Sequence, residues 1–292
     1  MSAIEQELAS QSSCWREAIA RVGAARALLP KAGERVLVTG CGSSLFMAQA
    51  YAALREGAGE GETDAFPASE APMTRSYDRV IAISRSGTTT EVVRFLGSLP
   101  AGIPTLTLSA DGGSPLVASA DAAVVLEFAD ERSVVQTRSA TSALAFLRAS
   151  LGEDLGPAIA DAERALVDPL PLDPAAFDQF VFLGHGWTVG LANEAALKLR
   201  ETAQAWTESY PAMEYRHGPI SVAGPRSLVW ILGSPDSKVA EDVRATGATV
   251  VQPDMDPMAA LVQIQRTGVA LAAAKGLDPD RPRHLTRSVV LA

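Results

Sequence analysis

The chain has 292 residues, 47% of them hydrophobic and 20% charged, with a formal net charge of −9. This is a globular composition, which excludes a disordered or fibrous chain. The acidic balance argues against a general nucleic-acid binder, which needs a basic stripe for phosphates. Two cysteines, Cys14 and Cys41, suggest neither a disulfide framework nor a thiolate metal site.

The N-terminus has early acidic residues and no apolar core of a signal peptide. No apolar run approaches the roughly 18 residues that cross a bilayer. The expected location is a reducing cytoplasm, with no membrane partner. Residues 3–29 predict one helix with Ile4, Leu8, Trp15, Ile19 and Val22 on a mixed face, closed by Leu29-Pro30. Residues 35–39 predict a buried strand, Gly40 and Gly42 a turn, and 44–55 a helix. Further strands are predicted at 78–84, 103–109 and 122–128, with helices between them. Short apolar strands alternating with helices predict parallel β-α-β units. Residues 152–176 hold a short helix and then prolines, and read as a linker.

A second half starts near residue 177 and repeats strand, glycine turn, helix. Its further strands are predicted at 226–234 and within 246–253. Gly40 falls on Gly184, Gly42 on Gly186, Leu45 on Val189 and Ala48 on Ala192, an offset of 144 residues. That offset is almost half the chain, so the expectation is a duplicated α/β unit.

Several segments carry possible chemistry. Gly40-Cys41-Gly42-Ser43-Ser44 follows a strand and opens a helix, which points amide N–H groups at an anion. A capped tight turn has the same residues. Ser84-Arg85-Ser86-Gly87-Thr88-Thr89-Thr90-Glu91 places five hydroxyl residues, one glycine and one arginine at the next strand-to-helix crossing. A helix cap needs one such residue, whereas a phosphate uses many short donors from one loop. The equivalent loop of the second half, Gly233-Ser234-Pro235-Asp236-Ser237, has lost most of these donors and carries an acid. One phosphate site per chain is therefore expected. Glu194, Lys198 and Glu201 share one face of a helix. That spacing also suits a solvated ion-paired face, although ligands of such folds bind at the carboxyl end of the sheet. Val135-Gln136-Thr137, the His217-Gly218-Pro219 loop and the arginine-rich C-terminus are weak signals singly.

Taken together and in register over about 250 residues, these segments resemble the sugar isomerase (SIS) family, in particular the isomerase half of glucosamine-6-phosphate synthase. The resemblance rests on Gly40-Cys41-Gly42-Ser43-Ser44, Ile83-Ser84-Arg85-Ser86-Gly87-Thr88-Thr89, Glu194-Ala195-Ala196-Leu197-Lys198-Leu199-Arg200-Glu201, Arg216-His217-Gly218-Pro219 and the tail Arg281-Pro282-Arg283-His284-Leu285-Thr286-Arg287-Ser288-Val289. It implies an α/β fold of two tandem doubly wound, flavodoxin-like parallel-sheet subdomains, here 1–160 and 165–292. It implies that Ser43, Ser44, Ser84, Arg85, Ser86 and Thr89 bind a substrate phosphate, with Arg85 in place of a frequent glutamine. Cys41, Gly42, Gln136, Thr137 and Arg287 would line the sugar. Glu201 matches a glutamate that moves a proton between C1 and C2 of the open-chain sugar, with Lys198 beside it. His217 matches a ring-opening histidine supplied by the partner subunit of a homodimer with composite sites. The resemblance implies a sugar-phosphate substrate, with no cofactor, metal or nucleic acid.

Two departures narrow the reaction. The chain shows no N-terminal glutaminase domain and no cysteine at position 2, so glutamine-fed aminotransfer is not expected. Arg287 falls where the synthase subgroup has a lysine, and a guanidinium forms no Schiff base. Aldose-ketose isomerisation, amino-sugar phosphate deamination and cleavage of sugar-amine adducts remain open. A non-catalytic phosphosugar sensor is the alternative, although a sensor has no need of Glu201, Lys198 and His217.

Overall fold

The computed structural model of the protein describes residues 1–291. The chain forms two compact units. One comprises Ser10–Leu155 with the tail from Leu285, and the other Met1–Ala9 with Gly156–His284. The chain passes between them at residue 155, a few residues before the expected boundary. Each unit also takes a short segment from the opposite end of the chain, which the continuous division into 1–160 and 165–292 did not anticipate.

The helix predicted over 3–29 is divided accordingly. It becomes α1 (Ala3–Ala9), α2 (Gln11–Ala20) and α3 (Val22–Ala25). Tertiary partners on either side of Ser10 override the continuous helical period. The Asp280 carboxylate accepts the Ala3 and Ile4 amides at 2.7 and 2.9 Å, capping α1. The Ser10 hydroxyl accepts from Arg138 at 2.9 Å.

In the first unit, β1 (Val36–Gly40) leads into α4 (Ser43–Gly57), followed by β2 (Thr63–Pro67) and β3 (Arg79–Ile83). Then come α5 (Thr90–Ser98), β4 (Thr105–Ser109), α6 (Pro115–Ser119), β5 (Ala122–Val125) and α7 (Arg138–Ser150). The strands are all parallel, in the order β2-β1-β3-β4-β5. Helices cover both faces, so β1 and β4 are buried at every residue. The order reverses between β1 and β3, and ligands of open α/β sheets bind beyond the strand ends at such a switch point. The Gly40 turn and the serine loop are the two segments that leave those ends. α7 packs on α4 and α2, and the Trp15 indole donates to Thr141 Oγ1 at 2.9 Å to fix α2 there.

The second unit contains α8 (Gly156–Val167), β6 (Gln179–Gly184), α9 (Thr188–Ala203), β7 (Thr207–Pro211) and β8 (Ser227–Ile231). It ends with α10 (Ser237–Ala245), β9 (Thr249–Val251) and α11 (Pro257–Ala274). Its parallel sheet has the order β7-β6-β8-β9. With β6 set on β1, this is the order of the first sheet without its fifth strand. The sequence offset thus corresponds to a repeated topology.

Sequence reading missed β2 and β7. Each is an edge strand, reads TDAFP or TESYP, and ends in a proline that donates no ladder hydrogen bond. What holds β2 lies outside its own sequence. Arg55 is 1% exposed and donates to Thr63 Oγ1 at 2.8 Å, and to the carbonyls of Lys31, Glu34, Glu60 and Gly61 around the strand's start. The tail, expected to end as a strand-like run, forms no strand up to residue 291. Among the described residues no helix is long and apolar enough to cross a membrane.

Candidate active site

The serine loop lies between β3 and α5. Gly87 adopts φ +60°, and a Cβ there would stand 2.0 Å from the Ser114 hydroxyl, so only glycine fits. This turn folds the loop onto itself. Ser84 Oγ accepts the Gly87 amide at 3.1 Å, and Ser86 Oγ accepts the Thr88 amide at 3.2 Å and the Thr88 hydroxyl at 3.0 Å. A hydroxyl that accepts keeps its own proton to donate. Ser84 and Ser86 are therefore buried and pre-oriented as donors. Thr89 is the N-cap of α5, and its side chain makes no capping bond. Ser43 and Ser44, both buried, open α4 at the end of β1. Gly42 is their N-cap. Cys41 is half-buried, and burial, reinforced by the Glu91 charge, pushes its thiol up.

Ser44, Arg85, Ser109, Gln136 and Ser139 line a cavity of about 10 Å³ in this unit. That is the size of one water, far too small for a sugar phosphate. A far larger apolar cleft, about 640 Å³, lies in the second unit between α1, α8 and α11 and contains none of the expected site residues.

Arg85, expected to bind phosphate, has protein partners instead of an open fork. Its guanidinium is turned inward and is 2% exposed. One terminal nitrogen donates to the Ser133 carbonyl at 2.9 Å and lies 3.5 Å from Glu131 Oε2. The other donates to the Val134 and Arg287 carbonyls at 3.0 and 2.9 Å. Both ends of the fork are thus engaged by the protein. Burial pulls the guanidinium below its ordinary value, and the Glu131 charge opposes that shift.

Thr137 is likewise fully buried, and its amide and hydroxyl donate to Glu131 Oε1 at 2.6 and 2.7 Å. Arg287 pairs with Asp130 Oδ1 at 2.5 Å and donates to the Glu131 carbonyl. Glu131 joins Arg85 and Thr137, and sequence reading passed over it. Asp130-Glu131-Arg132 resembles a solvated charge run, and no local signal distinguishes it from one.

In the second unit α9 packs against β6, β7 and α11. Its alanines and Gly268 of α11 allow close approach; a Cβ on Gly268 would meet Thr202 Oγ1 at 2.6 Å. The face with Glu194, Lys198 and Glu201 is a buried charge cluster, not a solvated one. Lys198 Nζ lies 3.4 Å from Glu194 Oε1 and 2.5 Å from Glu201 Oε2. Side-chain exposure is 0% for Glu194, 1% for Lys198 and 17% for Glu201, so only Glu201 reaches the surface. Burial of three charges in one group is costly unless they compensate one another.

His217 is exposed in a 3₁₀ turn, Glu214–His217, just beyond β7. In the neighbouring segment Ala212 and Tyr215 are buried, and Met213 is 40% exposed. In the loop after β8, Asp236 accepts the Lys238 amide at 3.0 Å and caps α10. A carboxylate there repels an anion where the first unit offers hydroxyls.

Residues 28–151 match the SIS domain model. The chain is 30% identical over 162 residues to the glutamine–fructose-6-phosphate aminotransferase (isomerizing) of Synechocystis sp., covering 46% of this chain and 26% of that protein. It is 27% identical over 303 residues to the enzyme of the same name from Sulfurisphaera tokodaii, covering 89% of this chain and 51% of that one. The chain thus spans between a quarter and about half of these relatives' lengths. The crystal structure of a glucosamine-6-phosphate deaminase from Thermotoga maritima superposes with a TM-score of 0.85 at 26% identity. It covers 99% of this chain and 100% of that one. A tagatose-6-phosphate ketose/aldose isomerase from Escherichia coli shares the fold, with a TM-score of 0.81 at 19% identity over 100% of this chain and 96% of that one. With the SIS model matched across β1 to β5, this chain carries a SIS domain in residues 28–151.

Proposed function

We propose that the protein is a phosphosugar enzyme that moves a proton between C1 and C2 of an open-chain sugar 6-phosphate. The observation that carries this reading is the Lys198–Glu201 pair. It sets a partly exposed carboxylate on a rigid helix, 2.5 Å from a buried ammonium. Such a carboxylate can take a proton from one carbon and return it to the next without backbone movement. Ser84, Ser86 and Thr89, with Ser43 or Ser44, would hold the phosphate. His217, supplied by the partner subunit of a homodimer, would open the sugar ring. Similarity along the whole chain to a structure named glucosamine-6-phosphate deaminase makes glucosamine 6-phosphate the first substrate to test. On that substrate, proton transfer from C2 to C1, with an amine proton passing to O1, turns the 2-amino aldose into a 2-imine. Water then adds to C2, and ammonia leaves to give the 2-ketose phosphate.

The test is NMR in D₂O with glucosamine 6-phosphate and fructose 6-phosphate. Deuterium entering at C1 or C2, with or without ammonia release, supports the reading. Binding without exchange favours the sensor. No binding of either sugar phosphate overturns both.

A further inference from the structure

The serine loop does not stand alone. Three segments distant in sequence meet on the Arg85 side chain: the loop itself, residues 131–137, and the C-terminal tail. Arg85 reaches the Ser133 and Val134 carbonyls, the Glu131 carboxylate and the Arg287 carbonyl. Neighbouring bonds run the same way. The Thr88 and Ser288 hydroxyl oxygens lie 2.8 Å apart, the Thr90 amide donates to the Val289 carbonyl at 3.1 Å, and the Leu291 amide to Thr90 Oγ1 at 2.9 Å. Glu131 in turn fixes Thr137 at the start of α7.

We propose that Arg85 is a positioning residue of the phosphate site. It sets the serine hydroxyls by bracing their loop against residues 131–137 and the tail, and it does not bind the phosphate itself. This rests on the reading of the loop as a phosphate site. The argument is geometric. A guanidinium that recognises phosphate presents two parallel N–H bonds from its fork. Here both ends of the fork already face protein acceptors. The same planar fork suits divergent carbonyls in a way that a lysine ammonium, a compact point charge, does not. The buried Glu131 carboxylate accounts for the charge, since a lone buried cation is unfavourable and a lone buried anion equally so.

The brace predicts a specific coupling. Arg85→Gln leaves Glu131 buried without its cation and frees three carbonyls. Glu131→Gln leaves the guanidinium without its anion. The double variant Arg85→Gln/Glu131→Gln removes both charges and keeps amide groups that can bond. Three measurements decide it, on the full chain and its variants. Hydrogen exchange followed by mass spectrometry reads the amides of residues 131–137 and 286–291. Calorimetry reads affinity for glucosamine 6-phosphate and fructose 6-phosphate. Steady-state kinetics on whichever of these the wild type turns over separates KM from kcat. The expected result for Arg85→Gln is faster exchange in both segments and a loss of affinity, and of kcat/KM through KM, of about 10–100-fold, the scale of a small misplacement at a site. Arg85→Lys should not restore it. The double variant should recover most of the affinity and keep the wild-type fold. Unchanged exchange in both segments on loss of Arg85 overturns the brace. Additive losses in the double variant overturn it too, in favour of a direct contact with phosphate. If the wild type binds neither sugar phosphate, the phosphate-site reading fails instead, and exchange alone still decides whether Arg85 ties the segments.

Discussion

Gly40 and Gly184 hold the same place in two different sheets. Each ends the strand that leads into the glycine turn, and each leaves no room for a side chain. A Cβ on Gly40 would stand 2.7 Å from Ser44 Cβ, and one on Gly184 2.3 Å from the Thr188 carbonyl oxygen. Both clashes fall four residues on, in the first turn of the next helix. The close approach of strand end to helix start is therefore built twice with the same residue. Gly40→Ala should cost about 1–3 kcal/mol, the usual cost of overpacking. Gly184→Ala should cost at least as much, since its three nearest atoms are all backbone of Thr188 and Val189 and stand closer than any that Gly40 would meet. Urea unfolding measures both. Midpoints equal to wild type would mean that the helix starts move aside freely.

This repeat was legible in the sequence because its signal is local: an apolar strand, two glycines and a helix, twice. Edge strands such as β2 were not legible, because Arg55 holds its start from another element. The exchanged termini escaped for the same reason, since Asp280 caps a helix almost a whole chain away. At the site, the serine loop was readable as a cluster of hydroxyls. The direction of Arg85 was not, because a guanidinium beside serines looks like a phosphate ligand until its acceptors are known. Glu194, Lys198 and Glu201 could be placed on one face by spacing. That the face is buried depends on α11 and the sheet packing around it.

Asp64 and Tyr77 give a pH-dependent test of the β2 edge. The Tyr77 hydroxyl donates to Asp64 Oδ2 at 2.7 Å, and Arg75 pairs with the same oxygen at 2.8 Å. Burial alone would raise the Asp64 carboxyl. The bonds from Tyr77 and Arg75 outweigh it, and the net shift is downward. Burial, then the hydrogen bond to Asp64 and its charge, push the Tyr77 phenol up to about 12. Asp64 thus adds stability above the ordinary aspartate value of about 3.9, lost as pH falls through the depressed one. Tyr77 adds stability below the ordinary tyrosine value of about 10, lost as pH rises towards about 12. Tyr77→Phe should cost about 1–2 kcal/mol at neutral pH, given a partly exposed partner. Its deficit should shrink above pH of about 10, whereas that of Asp64→Asn should shrink below about 4. Denaturation across pH reads both, and deficits flat at both extremes would contradict the linkage.

Ser86 gives a test of the proposed phosphate site. Its hydroxyl accepts twice from Thr88, which leaves one proton to give. Ser86→Ala should weaken binding of glucosamine 6-phosphate by about 1–3 kcal/mol, the cost of losing a bond to a charged group. Glucosamine without phosphate should bind weakly to both proteins. Calorimetry measures the difference, and equal affinity for the phosphosugar would remove Ser86 from the site.

The proposed homodimer with composite sites is tested by sedimentation at micromolar concentration. The expected species has twice the chain mass of 30.5 kDa. Mixing Glu201→Gln with His217→Ala protein should restore turnover of cyclic substrate in a fraction of sites, because a composite site draws the two residues from different chains. No restoration in a mixture proven to exchange subunits would place both residues in one chain's site.

Glu201 is the residue on which the chemical reading turns. It stands in the last turn of α9, open to the surface, while Lys198 behind it is buried and also faces Glu194. The ammonium therefore compensates two carboxylates, only one of which can meet a substrate. Glu201→Gln keeps the shape and can still bond Lys198, but it cannot accept a proton from carbon. General base catalysis is typically worth about 10²–10⁴ in rate. The variant should bind sugar phosphates within a few-fold of wild type and lose turnover and C–H exchange by about that factor. His217→Ala should differ in kind. It should spare exchange on open-chain substrates and slow reaction of cyclic ones, because ring opening precedes proton transfer. Normal exchange in Glu201→Gln would move the base elsewhere. Glu194 is fully buried and offers no second base on this face, so that outcome would remove the helix from the chemistry altogether.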